Sequence, residues 1–275
     1  MQNVIKQVWE TQMEILDVID KVCSANGLRY CLAYGTLLGA VRHGGFIPWD
    51  DDIDLMMPRE DYEKLLQIWQ DQAPEGYLLQ NKRRDPDFTQ NFTKIRKDHT
   101  TFLQEDWERT RAYHKGIFVD IFPGDRVAPQ GIQRRIQFCF DRLNLLYSRG
   151  FPAKTDGLDG MVQRLLLRIP EKYHSPLQQK AERLAGHWNQ NSGRPLYFPS
   201  TLGAASIYYP ADTFENLEWI PFQGKSYPAP GNRNQILKLE YGDYMRLPPP
   251  EERVWKHHPL VVDFARNYEE LNDEG

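Results

Sequence analysis

The chain has 275 residues, of which 40 % are apolar and 26 % charged, with a net charge of −4 at pH 7 and a pI near 6.0. This composition suits a globular protein with a substantial core. It argues against a general basic surface that coats nucleic acid, and no apolar run reaches the roughly 18 residues that span a bilayer. Residues 1–26 contain no signal-peptide core, which predicts a cytoplasmic protein.

Hydrophobic periodicity and turn residues predict the elements of the first half of the chain. Apolar residues recur at helical spacing over 3–25, and Asn26-Gly27 ends that helix. A brief helix begins at Gly35-Thr36 and breaks at 43–45, and a longer one covers 60–71. Strands are predicted at 29–33, 51–57, 77–80, 92–97, 100–103 and 115–123.

The second half is predicted to be helical first and rich in loops later. Helices are predicted at 129–149, 157–168 and 175–191, followed by short strands after 194 and a last helix at 232–240. We predict one domain over 1–275, with a catalytic core at about 26–125, a helical layer at about 129–192 and a completing segment at about 194–258. The cysteines form no CxxC pair and predict buried free thiols in a reducing compartment; they are Cys23, Cys31 and Cys139.

An acidic run at 50–54, with Ile53 as its one apolar member, is the strongest chemical signal. Side chains alternate along a strand, so Asp52 and Asp54 share one face while Ile53 enters the core. Two carboxylates at this spacing repel each other and suit a divalent cation. A solvated acidic loop or a cluster at a helix N-terminus is the alternative, but apolar residues on both sides of the run favour the metal site.

Two further segments extend this site. Tyr34-Gly35-Thr36 is a small-residue turn that opens a helix and can present backbone N–H groups to a phosphate. Asp120 lies in the apolar strand 115–123, where an unpaired carboxylate is costly. It either hydrogen-bonds a neighbouring loop or joins Asp52 and Asp54 as a third carboxylate, and we favour the second interpretation.

The order of these features resembles the nucleotidyltransferase (polymerase-beta-like) fold, an α+β fold with a mixed sheet flanked by helices, here with a helical insertion. Residues 34–54, YGTLLGAVRHGGFIPWDDDID, resemble the signature of the LicD family. The segments FTKIR at 92–96, GIFVDIFP at 116–123 and LEYGDYM at 239–245 also match. The resemblance covers about residues 10–258 and is weak in the helices between 130 and 195.

The resemblance implies transfer of phosphocholine from CDP-choline to a hydroxyl of a cell-surface glycan, of the teichoic acid or lipopolysaccharide type, with release of CMP. It implies Mg²⁺ or Mn²⁺ held by Asp52, Asp54 and Asp120, with Asp120 also a candidate base, and Asp50 as a further ligand or a brace. A lipid-linked acceptor would bring the enzyme to the inner membrane face.

Further residues are candidates for the substrate. The substrate-binding candidates are Tyr34, Gly35, Thr36, Arg42, Trp49, Lys94, Arg96 and Lys115. The candidates for the donor phosphates or CMP are the cations Arg42, Lys94, Arg96, Lys97 and Lys115. Choline cannot donate hydrogen bonds, so aromatic faces should bind it. The aromatic candidates are Trp49, Phe92, Trp107, Tyr113 and Tyr241.

Two alternatives use the same fold differently. One is a transferase that uses a CDP-alditol donor, or an adenylyltransferase acting on a small molecule. The other is a non-catalytic nucleotide- or glycan-binding module, which would be expected to lose one of Asp52, Asp54 and Asp120, yet all three are present.

Overall fold

The computed structural model describes residues 2–152, 156–189, 196–197, 207–255 and 258–272. The chain divides into two compact units. The first comprises Met1–Gln80, Thr93–Phe122 and Thr213–Gly275, and the second comprises Asn81–Phe92 and Pro123–Asp212. The single-domain interpretation of the whole chain stays a prediction.

The described residues form eight α-helices. They are α1 (Gln2–Ala25), α2 (Tyr34–His43), α3 (Arg59–Gln72), α4 (Ile132–Arg149), α5 (Gly157–Leu167), α6 (His174–Gly186), α7 (Arg233–Tyr241) and α8 (Tyr268–Asn272). Short 3₁₀ helices occur at Asp106–Thr110, Glu171–Tyr173 and Pro250–Glu252. Every predicted helix is confirmed within a few residues, although positions 190–191 at the end of the predicted helix 175–191 lie outside the described residues.

Several strands are shorter than the sequence predicted, whereas the strand predicted at 77–80 is confirmed at its bounds and the one predicted at 115–123 lies at 118–126. The strands of the described residues are β1 (Cys31–Leu32), β2 (Asp54–Pro58), β3 (Tyr77–Gln80), β4 (Thr93–Lys97), β5 (Thr101–Leu103), β6 (Phe118–Arg126), β7 (Leu196–Tyr197), β8 (Tyr208–Tyr209), β9 (Leu217–Phe222), β10 (Lys225–Pro230) and β11 (Val261–Asp263). The prediction of a strand from residue 51 was wrong at its start, because side chains of α1 rather than a neighbouring strand hold the backbone of residues 50 and 51.

A sheet ordered β1-β2-β6-β4-β3 forms the centre of the first unit. Helices flank this mixed sheet, so the α+β prediction is confirmed. Its register pairs Leu32 with Leu55 and Lys94 with Asp120, both across antiparallel strands. The core contains buried residues of α1, β2 and β6, including Ile15, Leu55 and Val119. The same unit contains the hairpin β9-β10 and the pair β5-β11.

The second unit contains α4, α5 and α6, with α4 packed on α6. The last residues of β6 pair with β7, which pairs with β8. Cys23 and Cys31 are buried as predicted, whereas Cys139 is exposed on α4, which corrects its predicted burial. In the part of the chain that the structure describes, none of the helices combines the length and apolarity that crossing a membrane requires.

Candidate active site

The acidic residues lie where β2 meets β6. The backbone N–H of Asp120 donates to the carbonyl of Ile53 over 2.9 Å, so the two acidic segments are neighbours, as predicted. Ile53 is fully buried and anchors the segment in the core. The backbone N–H of Asp54 donates to the Thr36 hydroxyl over 2.8 Å, which ties the start of β2 to the first turn of α2. Buried Thr36 therefore positions Asp54.

Side chains of α1 hold the residues just before β2. Trp9 donates its indole N–H to the carbonyl of Asp50 over 2.8 Å. Gln12, fully buried, donates its amide to the carbonyls of Asp51 (2.7 Å) and Phe118 (3.2 Å), and so joins the acidic segment to β6. Sequence analysis missed both residues, although a polar Gln12 between the buried Val8 and Ile15 was an available signal.

The carboxylates repel one another. Burial is the largest cause that raises the pKa of Asp54 well above its ordinary value, followed by the negative charges of Asp52, Asp120 and Asp50. Lys94 opposes this shift. The charges of Asp52 and Asp120 therefore act on the Asp54 carboxyl, and a shared site of the three carboxylates stays a prediction.

Lys94 is the cation that faces Asp120. Its ammonium lies 2.7 and 2.9 Å from the two carboxylate oxygens and 3.2 Å from the centre of the Phe118 ring. Both side chains of the pair are about nine-tenths buried. Burial lowers the pKa of Lys94, while Asp120 raises it. Such a pair is costly to desolvate and strongly destabilising when one partner is lost.

Arg96 supports this pair from the same face of β4. Its guanidinium donates to the Gln80 side chain and to the Gly116 carbonyl, each over 2.6 Å, and lies 5.0 Å from the centre of the Phe118 ring. Only 2 % of Arg96 is exposed. These contacts show Arg96 bracing the ring beneath Lys94.

The fit of a divalent cation rests on the carboxylates' chemistry rather than on a preformed cage. Mutually repelling oxygens suit a hard cation. Among the described residues, however, no group of three His, Cys, Asp or Glu side chains is arranged to hold a metal ion. Both oxygens of Asp120 accept hydrogen bonds from Lys94. Asp52 and Asp54 therefore fit a metal better than Asp120 does, and the three-carboxylate metal site stays a prediction.

The turn at 34–36 forms the first residues of α2. Tyr34, not Gly35, has the positive φ, at 45°, and its ring meets that of Phe122 edge to face at 5.2 Å. A Cβ on Gly35 would lie 2.6 Å from Oδ2 of Asp50. Glycine at this position therefore lets the Asp50 carboxylate approach the first turn of α2.

A cavity of about 680 Å³ opens beside Gly35 and Asp50. Its described lining mixes cations, acids and aromatic rings. The lining residues that bear on chemistry are Arg42, Arg246, Arg253, Trp49, Tyr241, Tyr244, Asp50, Asp243 and Glu252. Burial is the largest cause that raises the pKa of Tyr241, and Glu240, Asp54, Asp50 and Asp52 follow, so the acidic residues act electrostatically on the cavity wall.

Two arginines of the cavity are held in place. Arg42 donates to the carbonyl of Tyr244 over 2.9 Å, and Arg253 donates to the carbonyl of Pro248 over 2.8 Å. The Arg253 guanidinium lies 5.8 Å from the centre of the Trp49 ring. Burial is the main cause that lowers the pKa of Arg42, and Arg253 contributes to the shift. Arginines held in the lining of one cavity suit an anionic ligand with more than one phosphate.

Two of the five aromatic candidates belong to the described lining of the cavity. Trp49 and Tyr241 line it. Phe92 contacts Phe88 in the second unit, exposed Trp107 stacks with Arg111, and buried Tyr113 donates its hydroxyl to Glu108. Trp49 and Tyr241 are therefore the candidates that the structure brings to the cavity.

Lys115 lies in a different setting from the other predicted cations. Its ammonium donates to the carbonyls of Arg111 and Tyr113 and lies 3.6 Å from Glu269. These residues share no member with the described lining of the cavity. Lys115 thus joins the loop before β6 to α8.

Sequence analysis assigned no role to most residues that complete the cavity. Arg246, Arg253, Tyr244 and Glu252 come from the region after α7. Sequence analysis had singled out Tyr241, the last residue of α7, but none of these four. The nearest signal was the match of LEYGDYM to a family pattern. Sequence analysis also assigned no role to half-buried Glu240, although burial raises the pKa of its carboxyl to about 8.

Comparison with known proteins identifies similar sequences. Residues 27–142 match the family described as LicD/FKTN/FKRP, nucleotidyltransferase domain. The lipopolysaccharide cholinephosphotransferase LicD of Haemophilus influenzae is 28 % identical over 258 residues, which cover 90 % of this chain and 92 % of that protein. The ribitol 5-phosphate transferase FKRP of Homo sapiens is 44 % identical over 57 residues, 21 % of this chain and 11 % of that protein.

These relatives and the acid-lined cavity define the class of protein as an enzyme, a phosphotransferase. The match of residues 27–142 to the LicD/FKTN/FKRP family agrees with the resemblance that the sequence signature predicted.

Proposed function

We propose that the enzyme transfers phosphocholine from CDP-choline to a hydroxyl of a cell-surface glycan and releases CMP. The observation that carries this proposal is the cavity, in which Arg42, Arg246 and Arg253 accompany Trp49 and Tyr241 beside Asp50. The long similarity to a lipopolysaccharide cholinephosphotransferase supports the same donor and acceptor classes.

The cavity offers complementary groups for each part of CDP-choline. Arg42, Arg246 and Arg253 would bind the diphosphate and CMP through charge-assisted hydrogen bonds. The faces of Trp49 and Tyr241 would bind the quaternary ammonium, because this cation has no N–H to donate and is instead attracted to the negative face of an aromatic ring.

The transfer conserves atoms and charge. The acceptor hydroxyl oxygen forms a bond to the phosphorus that bears choline, the bond from that phosphorus to the bridging oxygen breaks, and CMP leaves with the electron pair. The hydroxyl proton passes to a carboxylate oxygen, for which we propose Asp120. Lys94 holds both Asp120 oxygens and so orients the base.

We further propose Mg²⁺ or Mn²⁺ as the cofactor, held by Asp52 and Asp54. Asp120 would lie close enough for the charge of the metal to act on its carboxylate. When bound, the metal would neutralise charge that develops on the phosphates during transfer. The repulsion among Asp54, Asp52, Asp120 and Asp50 supports this assignment, because a cation would relieve it.

A CDP-alditol is the second candidate donor, favoured by the 44 % identity to a ribitol 5-phosphate transferase over 57 residues. The decisive assay measures CMP release from CDP-choline, CDP-ribitol and CDP-glycerol, and AMP transfer from ATP, with Mg²⁺ and purified lipopolysaccharide or teichoic acid as acceptor. Acceptor-dependent CMP release from CDP-choline alone is the expected result. Preference for CDP-ribitol would overturn the choline assignment, and no release from any donor would overturn the enzyme function.

A further inference from the structure

Helix α5 exposes an apolar face to solvent. Four large apolar side chains are exposed at positions i, i+3, i+4 and i+7 of this helix. They are Leu158 (71 % exposed), Met161 (49 %), Val162 (45 %) and Leu165 (53 %). Helical geometry places them on one stripe about 100° wide. A contiguous exposed apolar stripe of this kind marks an interaction surface.

Cations border this stripe. Arg168, one residue after α5, is exposed and lies at the margin of the stripe by helical spacing. Exposed Lys172 follows at the start of the next turn, with its ammonium 4.9 Å from the centre of the exposed Tyr173 ring. Long cationic side chains and aromatic rings that flank an apolar helix face suit the interface between lipid headgroups and acyl chains.

The charge around α5 differs in sign from that of the whole chain. Residues 123–189 contain eleven Lys and Arg and six Asp and Glu, whereas the chain as a whole carries a net charge of −4. An anionic bilayer attracts such a basic segment. Two exposed acids of this segment, Asp156 and Asp159, lie at the start of α5, whereas Arg168 and Lys172 lie at and beyond its end.

We propose that the exposed face of α5 docks on an anionic lipid surface, with Leu158, Met161, Val162 and Leu165 inserted at the headgroup boundary and Arg168 and Lys172 on the lipid phosphates. The proposal concerns binding in the second unit and does not depend on the donor or the reaction of the first unit. It provides the protein with a membrane contact of its own, in addition to any contact through a lipid-linked acceptor.

The test is co-sedimentation of the full chain with vesicles of phosphatidylcholine alone and with vesicles of equal parts phosphatidylcholine and phosphatidylglycerol. The wild type should bind the anionic vesicles, and added salt should weaken that binding. Leu158→Gln/Leu165→Gln should lower the partition onto anionic vesicles by about tenfold or more, since two large apolar side chains no longer leave water. Arg168→Glu should reduce the preference for anionic over neutral vesicles.

The matched control is Leu260→Gln, at a half-exposed leucine of the first unit outside α5, which should bind vesicles as the wild type does. Melting temperature and lipid-free CMP release should be equal in wild type and Leu158→Gln/Leu165→Gln, because Gln keeps good helix propensity and α5 lies outside the cavity. Equal vesicle binding by the double variant and wild type would overturn the proposal. So would a change of oligomeric state in the double variant with vesicle binding intact, which would assign the face to a protein contact.

Discussion

Lys94 and Asp120 form a two-point ion pair inside the sheet, with the ammonium 2.7 and 2.9 Å from the carboxylate oxygens and the Phe118 ring beneath it. The acid that the sequence marked as costly is thus compensated by a lysine directly opposite on β4. Because the pair is buried, Asp120 contributes to folding as well as to the proposed chemistry, and the two contributions can be separated.

Asp120→Asn should lower kcat far more than donor affinity, because proton removal matters only in the transition state. It should also cost about 3 kcal/mol of unfolding free energy by leaving Lys94 without its charged partner. Lys94→Met/Asp120→Asn should recover most of that stability and none of the activity. Urea unfolding and CMP-release kinetics measure the two effects, and a normal kcat in Asp120→Asn would remove this residue from the active site.

Asp52→Asn and Asp54→Asn should each nearly abolish turnover while the fold is retained. Removing one charge from a repelling group should leave the metal-free protein equally or more stable. EDTA should reproduce the loss in wild type, and Mg²⁺ or Mn²⁺ should reverse it. Wild-type activity of either variant at saturating Mg²⁺ would contradict the metal assignment.

Gly35→Ala should reduce activity by displacing Asp50, whose Oδ2 would lie 2.6 Å from the new Cβ. The backbone of Gly35 needs no left-handed conformation, so the loss should come from this contact rather than from strain. Any stability cost of Gly35→Ala should therefore shrink when Asp50→Ala is also present. Equal costs in both backgrounds, measured by thermal unfolding, would show that the contact is not responsible.

Trp49→Leu should weaken CDP-choline binding about tenfold and leave CMP binding unchanged, because only choline would face the ring. Trp107→Leu is the matched control, since exposed Trp107 stacks with Arg111 outside the described lining of the cavity. Calorimetric titration with both nucleotides separates the two parts of the ligand. A parallel loss of CMP affinity in Trp49→Leu would assign the ring to the nucleotide instead.

The free energy of unfolding should fall as pH rises, because the Glu240 carboxyl releases its proton at a lower pH in the unfolded than in the folded protein. Burial raises the pKa of this carboxyl in the folded protein to about 8, above the ordinary 4.5. Between these two pKa values the folded state keeps a proton on Glu240 that the unfolded state releases. The contribution of Glu240 to the free energy of unfolding is therefore fully present below pH 4.5 and is lost as pH rises towards 8. Glu240→Gln should flatten this part of the pH profile in urea unfolding. Identical profiles of wild type and variant would show that Glu240 titrates normally.

The sequence by itself determined the helices, the sheet-forming segments and the acidic group, because these depend on local periodicity and on the cost of burying charge. Gly44 ends α2 in the left-handed conformation within the break predicted at 43–45, and Asp120 lies beside the segment of Asp52 and Asp54. The resemblance to the LicD family was equally visible in the sequence, since the matching segment is continuous over residues 34–54 and lies within the family match at 27–142.

Only the tertiary structure decided the partners of those residues. Lys94 was a candidate phosphate ligand in sequence and proves to be the partner of Asp120, because register across β4 and β6 places them opposite each other. Trp49 and Arg253 stand about two hundred positions apart and meet in one cavity. Contacts between distant segments follow from packing and strand register, which local sequence patterns do not encode.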